Sequence, residues 1–337
     1  MADEEDCFDA VLVVSFGGPE APEEVLPFLE NVLRGRNVPR ERMAAVAEHY
    51  QHFGGRSPIN QNNRELIAAL ETELARRGPR WPVYWGNRNW HPLLTDTLRR
   101  MRADGVRRAL AFVTSAFGSY SGCRQYLDDI AAARAAVGAG APEVCKLRLF
   151  YNHPEFIATW IERARAALDS LPAAARAEAP LLFTAHSIPA SMARSGPYVA
   201  QLEAACRWVA TGLGRAEYRL AYQSRSGPPG QPWLEPDLAA TLGELARDGA
   251  RQAVLLPIGF LSDHMEVVYD LDVEARDLAT RLGLRLVRAA TPGSHPRLIA
   301  MIRDLIVERI EPGRTRAVMA GAKAWPDECP ADCCASR

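Results

Sequence analysis

Three carboxylates, Glu266, Asp270 and Glu274, recur at four-residue spacing directly after Ser262-Asp263-His264-Met265. On an α-helix that spacing puts them on one face, where each like-charge neighbour costs roughly 0.2–0.5 kcal/mol. No lysine or arginine interleaves them. The apolar run Ala253-Val254-Leu255-Leu256-Pro257-Ile258-Gly259-Phe260 leads straight into the stripe. The acids therefore belong at the carboxyl end of a buried strand, where open α/β sheets place their ligands. A stripe of unpaired acids there is a path for something cationic, either a metal ion or protons.

His186 ends a second apolar run, Pro180-Leu181-Leu182-Phe183-Thr184-Ala185. If both runs are strands of one parallel sheet, His186 and Glu266 project from the same end and face one pocket. A neutral imidazole opposed to a carboxylate can take up protons, ligate ferrous iron, or do both in sequence. His264, two residues from Glu266, points off the carboxylate face and suits a supporting role. Asp263 sits where a helix N-cap is expected. At the other end of the chain, Cys329, Cys333 and Cys334 crowd into six residues. Such a thiol set suits zinc or an iron–sulfur cluster, and either needs a fourth ligand from Cys7, Cys123, Cys145 or Cys206.

The elements that must carry these residues are stated twice along the chain. Ala10–Val14 ending in Ser15-Phe16-Gly17-Gly18-Pro19 parallels Pro180–Ala185 ending in His186-Ser187-Ile188-Pro189. Pro82–Arg88 parallels Arg219–Arg225, and Asp104-Gly105 followed by an apolar run parallels Asp248-Gly249 followed by another. Strands alternating with helices imply parallel sheets with right-handed crossovers. The fold class is therefore α/β, two Rossmann-like halves related by an internal repeat, each a parallel sheet flanked by helices. The expected divisions are residues 8–170, residues 178–312, and a tail over 313–337.

With 337 residues and 48% hydrophobic content the chain can bury a core for both halves. A formal net charge of −1 gives no bulk attraction to nucleic acid. Neither half has a G-x-G-x-x-G turn, and no Walker-type lysine loop is present, so dinucleotides and nucleoside phosphates are disfavoured. The acidic start Met1–Asp6 lacks the features of a secretion signal, and no apolar stretch reaches bilayer length. A cytoplasmic monomer is the expectation, with peripheral membrane contact left open. Loops at Tyr50–Ile59, Ser119–Tyr126 and Ser224–Pro229 mix arginines, hydroxyls and aromatics, a combination suited to a flat apolar ligand with peripheral carboxylates.

Four segments in order, Leu12–Pro19, Gly54-Gly55-Arg56-Ser57-Pro58, His186-Ser187-Ile188-Pro189 and Asp263–Asp272, make the sequence resemble the ferrochelatase family over about residues 8–310. The resemblance implies insertion of Fe²⁺, as substrate, into a porphyrin with release of two protons. It places the family's histidine and glutamate on His186 and Glu266, and its inward line of acids, as metal ligands or proton carriers, on Asp270 and Glu274. Opposite them it places Phe16, where other members carry tyrosine or methionine. Phenylalanine has no donor atom, so metal ligation from that face is not expected. Arg34, Tyr50, Ser57 and Tyr126 are the implied porphyrin contacts. The cysteine tail resembles that of members binding a 2Fe-2S cluster, with Cys145 expected as internal ligand and Cys123 as competitor. Similarity to actinobacterial members implies coproporphyrin III as substrate, with protoporphyrin IX the alternative. A haem carrier without catalysis and a chelatase for cobalt or nickel are competing readings. The retained His186–Glu266 pair argues against the first, and the order of the motifs against the second.

Overall fold

The computed structural model describes residues 7–35, 40–227, 230–330 and 333–334. Residues 1–6, 36–39, 228–229, 331–332 and 335–337 lie outside them. Among the described residues, eight strands form two four-stranded parallel sheets. The first contains β1 (Ala10–Ser15), β2 (Val83–Asn87), β3 (Arg108–Val113) and β4 (Glu143–Lys146); the second contains β5 (Leu181–His186), β6 (Arg219–Gln223), β7 (Gln252–Leu256) and β8 (Arg285–Arg288). Their orders are β2-β1-β3-β4 and β6-β5-β7-β8, the same plan twice. The expected repeat is thus the architecture itself.

Near-continuous aliphatic runs form the central strands because helices cover both sheet faces. Every residue of β1 is buried, and Val13 sits between Trp85 of β2 and Phe112 of β3. The repeat extends to individual hydrogen bonds. Helix Leu94–Ala103 closes with Gly105 N–H donating to Arg102 O at 3.1 Å and Val106 N–H to Met101 O at 2.9 Å. Helix Leu238–Arg247 closes with Gly249 N–H donating to Ala246 O at 3.1 Å and Ala250 N–H to Leu245 O at 3.0 Å. Both glycines are left-handed, at φ 82° and 88°, as the Asp-Gly pairs require.

The halves share one continuous core. Helix Pro154–Asp169 packs on β7, β8 and helix Tyr198–Gly212, while helix Pro296–Ile310 packs on Ile59–Arg77 of the first half. Between them lies a buried ion pair, Arg148 Nε to Glu308 Oε2 at 2.8 Å and Nη2 to Oε1 at 3.0 Å, with side chains only 2% and 4% exposed. The same groups hold the tail: Ala317 N–H donates to Glu308 Oε1 at 2.8 Å, and Arg148 Nη2 donates to Ala317 O at 2.9 Å. Among the described residues no helix is long and apolar enough to cross a membrane.

Candidate functional site

His186 is the last residue of β5, and Glu266 lies in the first turn of the short helix Met265–Tyr269 that follows β7. Parallel strands deliver both to one end of the second sheet, with Nε2 of His186 3.6 Å from Oε2 of Glu266. The chain can turn this tightly because Gly259 has no side chain; a Cβ there would come within 2.8 Å of Ala185. Nδ1 of His186 lies 2.5 Å from the Ser187 carbonyl, so it carries a proton and donates, leaving Nε2 to face the carboxylate. Burial works against protonation of His186, but Glu266, the Ser187 carbonyl and Asp270 outweigh it and hold its pKa above the ordinary value. Burial likewise opposes ionisation of Glu266, and His186 outweighs that, holding the carboxylate below its usual range. About half of the Glu266 side chain, 49%, is open to solvent, so the pair forms at an accessible surface.

The carboxylate stripe is not one α-helical face. Glu266 is α-helical, whereas Asp270 opens a π-helical turn, Asp270–Ala275, that also carries Glu274. Single π turns inside helices recur at functional sites. Asp270 accepts hydrogen bonds from Ser224 Oγ at 2.5 Å and Gln223 Nε2 at 3.3 Å. Burial raises its pKa to about 7, assisted by the charges of Glu266 and Glu274 and opposed by Ser224 and Gln223. Glu274 is exposed. A proton acceptor near neutrality thus follows the His186–Glu266 pair, with a solvated carboxylate beyond it. Ser224 is one of two described non-glycine residues at positive φ, 59°, a strained backbone of the kind found at functional sites. The Ser224 loop stood out in the sequence, but its bond to Asp270, 46 residues away, had no local signal.

His264 occupies the N-cap position without a side-chain cap bond and packs edge-on against Phe260, ring centroids 5.1 Å apart. Burial lowers its pKa, with His186 adding to the effect. Asp263 is not the expected cap. Its carboxylate turns away from the helix amides to Arg288 at 3.0 and 3.1 Å, because a guanidinium offers it two parallel bonds.

Across the cleft, residues of the first half meet the helix that carries Glu266 through an apolar cluster that packs Met265 with Val25, Phe28, Leu29 and Tyr50. Tyr50 is buried, and its hydroxyl pKa is pushed up by burial and by the charge of Glu266. Phe28 joins it to Phe16, with centroids 5.9 and 6.3 Å away. Phe16 is 37% exposed after β1, an apolar face without a donor. Arg88 lies 5.9 Å from the Phe16 ring and 4.5 Å from that of Tyr126. Tyr126 and Ser57 are buried, whereas Arg34 is exposed in the turn after helix Val25–Val32. Among the described residues, no three His, Cys, Asp or Glu side chains stand close enough to hold a single metal ion. A hollow of about 1400 Å³ opens at Leu181, Arg219 and Gln252, the opposite end of β5, β6 and β7 from His186.

The cysteines divide differently from the sequence expectation. Cys145 lies on β4 and donates to Glu143 Oε1 at 3.2 Å on the same strand face. Cys123 instead meets the tail: its thiol interacts with Cys329 and Cys334, Cys329 reaches Cys333, and the sulfurs of Cys333 and Cys334 are 3.8 Å apart. Cys329 is pushed up by its bond to Cys123 and by burial, Cys333 by burial and then Cys329. Trp325 Nε1 donates to Cys329 Sγ at 3.3 Å. Lys146, alternating away from Cys145, is buried; its Nζ donates to Leu147 O at 3.1 Å, and its charge acts to lower the pKa of the Cys123 and Cys329 thiols. The chemistry of this set, four thiols with an N–H donor and a buried cation, suits a two-iron cluster, whose ligands are thiolates and whose net charge is negative, although no three of the thiols stand close enough here to hold a single metal ion.

Two parallel sheets, the second with a histidine–carboxylate pair at its carboxyl end, make a chelatase-like α/β fold. The fold resembles that of SirB from Bacillus subtilis with Fe³⁺, with a TM-score of 0.56 at 11% identity over 90% of this chain and 97% of that one. The ferrochelatase family model matches residues 8–310, and the chain belongs to that family. It is 54% identical to the coproporphyrin III ferrochelatase of Frankia alni over 97% of this chain and 86% of that protein. It is also 54% identical to that of Mycolicibacterium smegmatis over 90% of each. The ferrochelatase of Rhodopirellula baltica is 52% identical over 97% of this chain and 93% of its own length.

Proposed function

We propose that the protein inserts Fe²⁺ into coproporphyrin III, with His186 and Glu266 taking the two pyrrole protons and handing them to Asp270 and Glu274. The observation that carries this reading is the 3.6 Å His186–Glu266 pair with an acceptor of pKa about 7 directly behind it. Two N–H protons must leave as one divalent cation enters, so charge is conserved only if bases remove both. His186 presents Nε2 because Nδ1 is committed to Ser187. The pair holds and releases protons as a unit. The incoming Fe²⁺ lowers its proton affinity and drives the protons outward along the π turn. Phe16 supplies a flat apolar face, while Arg34, Ser57 and Tyr126 are assigned to the propionates and Tyr50 to the macrocycle's edge. Relatives of 54% identity named for coproporphyrin III support that substrate over protoporphyrin IX. Anaerobic insertion assays with both porphyrins test it. Higher kcat/KM with coproporphyrin III is expected; equal or greater turnover of protoporphyrin IX refutes the substrate, and no insertion into either refutes the enzyme reading.

A 2Fe-2S cluster held by Cys123, Cys329, Cys333 and Cys334 is the second element of the proposal. It would supply one-electron redox chemistry, away from the His186–Glu266 pair, and tie the tail to the first half. The convergence of four thiols supports it, and Cys145 is the control. Cys123→Ser should lose the visible absorption of the cluster and Cys145→Ser should keep it; the reverse pattern restores Cys145 as ligand.

A further inference from the structure

Arg288 closes β8 at the same end of the second sheet as the catalytic pair. Its guanidinium grips two carboxylates at once: Nη1 and Nη2 donate to Asp263 Oδ1 and Oδ2 at 3.0 and 3.1 Å, and Nε and Nη2 donate to Asp272 Oδ1 and Oδ2, both at 2.7 Å. Asp263 stands three residues before Glu266 and Asp272 two residues after Asp270, so the clamp brackets the segment that carries both acids. All three side chains are largely buried, 18%, 25% and 34% exposed.

The segment opens a continuous helical run in which Met265–Tyr269 is α-helical, Asp270–Ala275 is a π turn and Arg276–Arg281 is α-helical again, and its first residue has no side-chain cap bond. Apolar contacts seat it, Val267, Leu271 and Ala275 in the core of the second half and Met265 against the first half, with Tyr269 stacked on His49. Two bidentate pairs from one planar group add a directional hold on both sides of the two acids, because each pair fixes a direction as well as a distance. Asn62 of the first half adds one bond, Nδ2 to Asp263 O at 2.9 Å, so the clamped end also touches the opposite wall.

We propose that Arg288 is a positioning residue for metal insertion: by holding Asp263 and Asp272 together it sets where Glu266 stands against His186. It rests on the assignment of His186 and Glu266 as the reacting bases, and it touches neither substrate nor proton itself. A displacement of about 1 Å at a reacting group costs on the order of 100-fold in rate, so loss of the clamp acts on kcat rather than on porphyrin binding.

Arg288→Lys keeps the charge but cannot form both bidentate pairs. In anaerobic Fe²⁺ insertion into coproporphyrin III it should lower kcat by about 10–100-fold, with porphyrin Kd, read by fluorescence quenching, within about twofold and the urea midpoint near that of the wild type. Wild-type kcat, or a loss confined to porphyrin binding, overturns the proposal. The triple variant Asp263→Asn, Arg288→Met, Asp272→Asn leaves no charge unpaired. It should fold while kcat stays low; recovery of kcat would mean that the guanidinium only neutralises two acids, and would overturn the proposal. Should Arg288→Lys fail to fold, the triple variant carries the same test. Full activity in Glu266→Gln would instead refute the assignment of the bases, which separates the two failures.

Discussion

Asp270→Asn removes a carboxylate whose proton is held near neutrality. Holding this group at about 7 in the folded protein against 3.8 ordinarily costs the ionised folded state up to about 4 kcal/mol, at about 1.4 kcal/mol for each tenfold change in proton affinity. Cleft water and the Ser224 bond reduce what is measurable to about 1–2 kcal/mol. The sign follows from the raised pKa. The contribution favours folding below pH 4, where both states are protonated, and it is lost as pH rises toward 7. Urea denaturation of the wild type should therefore show stability falling between about pH 4 and pH 7 by about 1–2 kcal/mol more than in Asp270→Asn, with no further difference accruing above that. The variant should be the more stable protein at pH 8, yet insert iron about 100-fold more slowly, the lower end of what positioned proton transfer contributes. A stability difference independent of pH, or a variant less stable at pH 8, would refute the account of the buried carboxyl.

His186→Ala and Glu266→Gln should each reduce iron insertion by at least about 100-fold with an unchanged circular dichroism spectrum; near-normal turnover in both would remove them from the site. Arg148→Met strands Glu308 in the core and should cost about 3–5 kcal/mol in urea denaturation, most of it recovered by adding Glu308→Gln; a loss under 1 kcal/mol would mean that water reaches the pair. Lys146→Met should stabilise the cluster-free protein, because an apolar side chain replaces a buried charge. In the cluster-loaded protein it should speed cluster loss, followed by visible absorption; the same sign in both forms would refute the role of Lys146 as counter-charge.

Several parts of this molecule are written locally and could be read without coordinates. The paired strands, the Asp-Gly helix endings and the projection of His186 and Glu266 from strand ends all follow from apolar runs and turn chemistry within a few residues. So does the acidic stripe, because its members are neighbours along the chain. The parts that escaped the sequence depend on segments far apart in it. Asp263 carries the local signature of a helix cap, yet Arg288, 25 residues on, offers a stronger partner once β8 is laid beside β7. Cys145 was the expected internal thiol, but strand alternation turns it toward Glu143 and sets Lys146 on the other face, while the tail folds back to Cys123. Ser224 meets Asp270 only because β6 and β7 flank β5.

The duplicated α/β plan, the family resemblance and the pairing of His186 with Glu266 are legible along the chain, since they rest on periodicity and on residues at the ends of single strands. The π turn beneath the acids, the proton affinity of Asp270, the double grip of Arg288 and the grouping of the four thiols arise on folding. Each of these is set by distance and burial between side chains remote in the chain, and neither quantity is encoded in the spacing of residues along it.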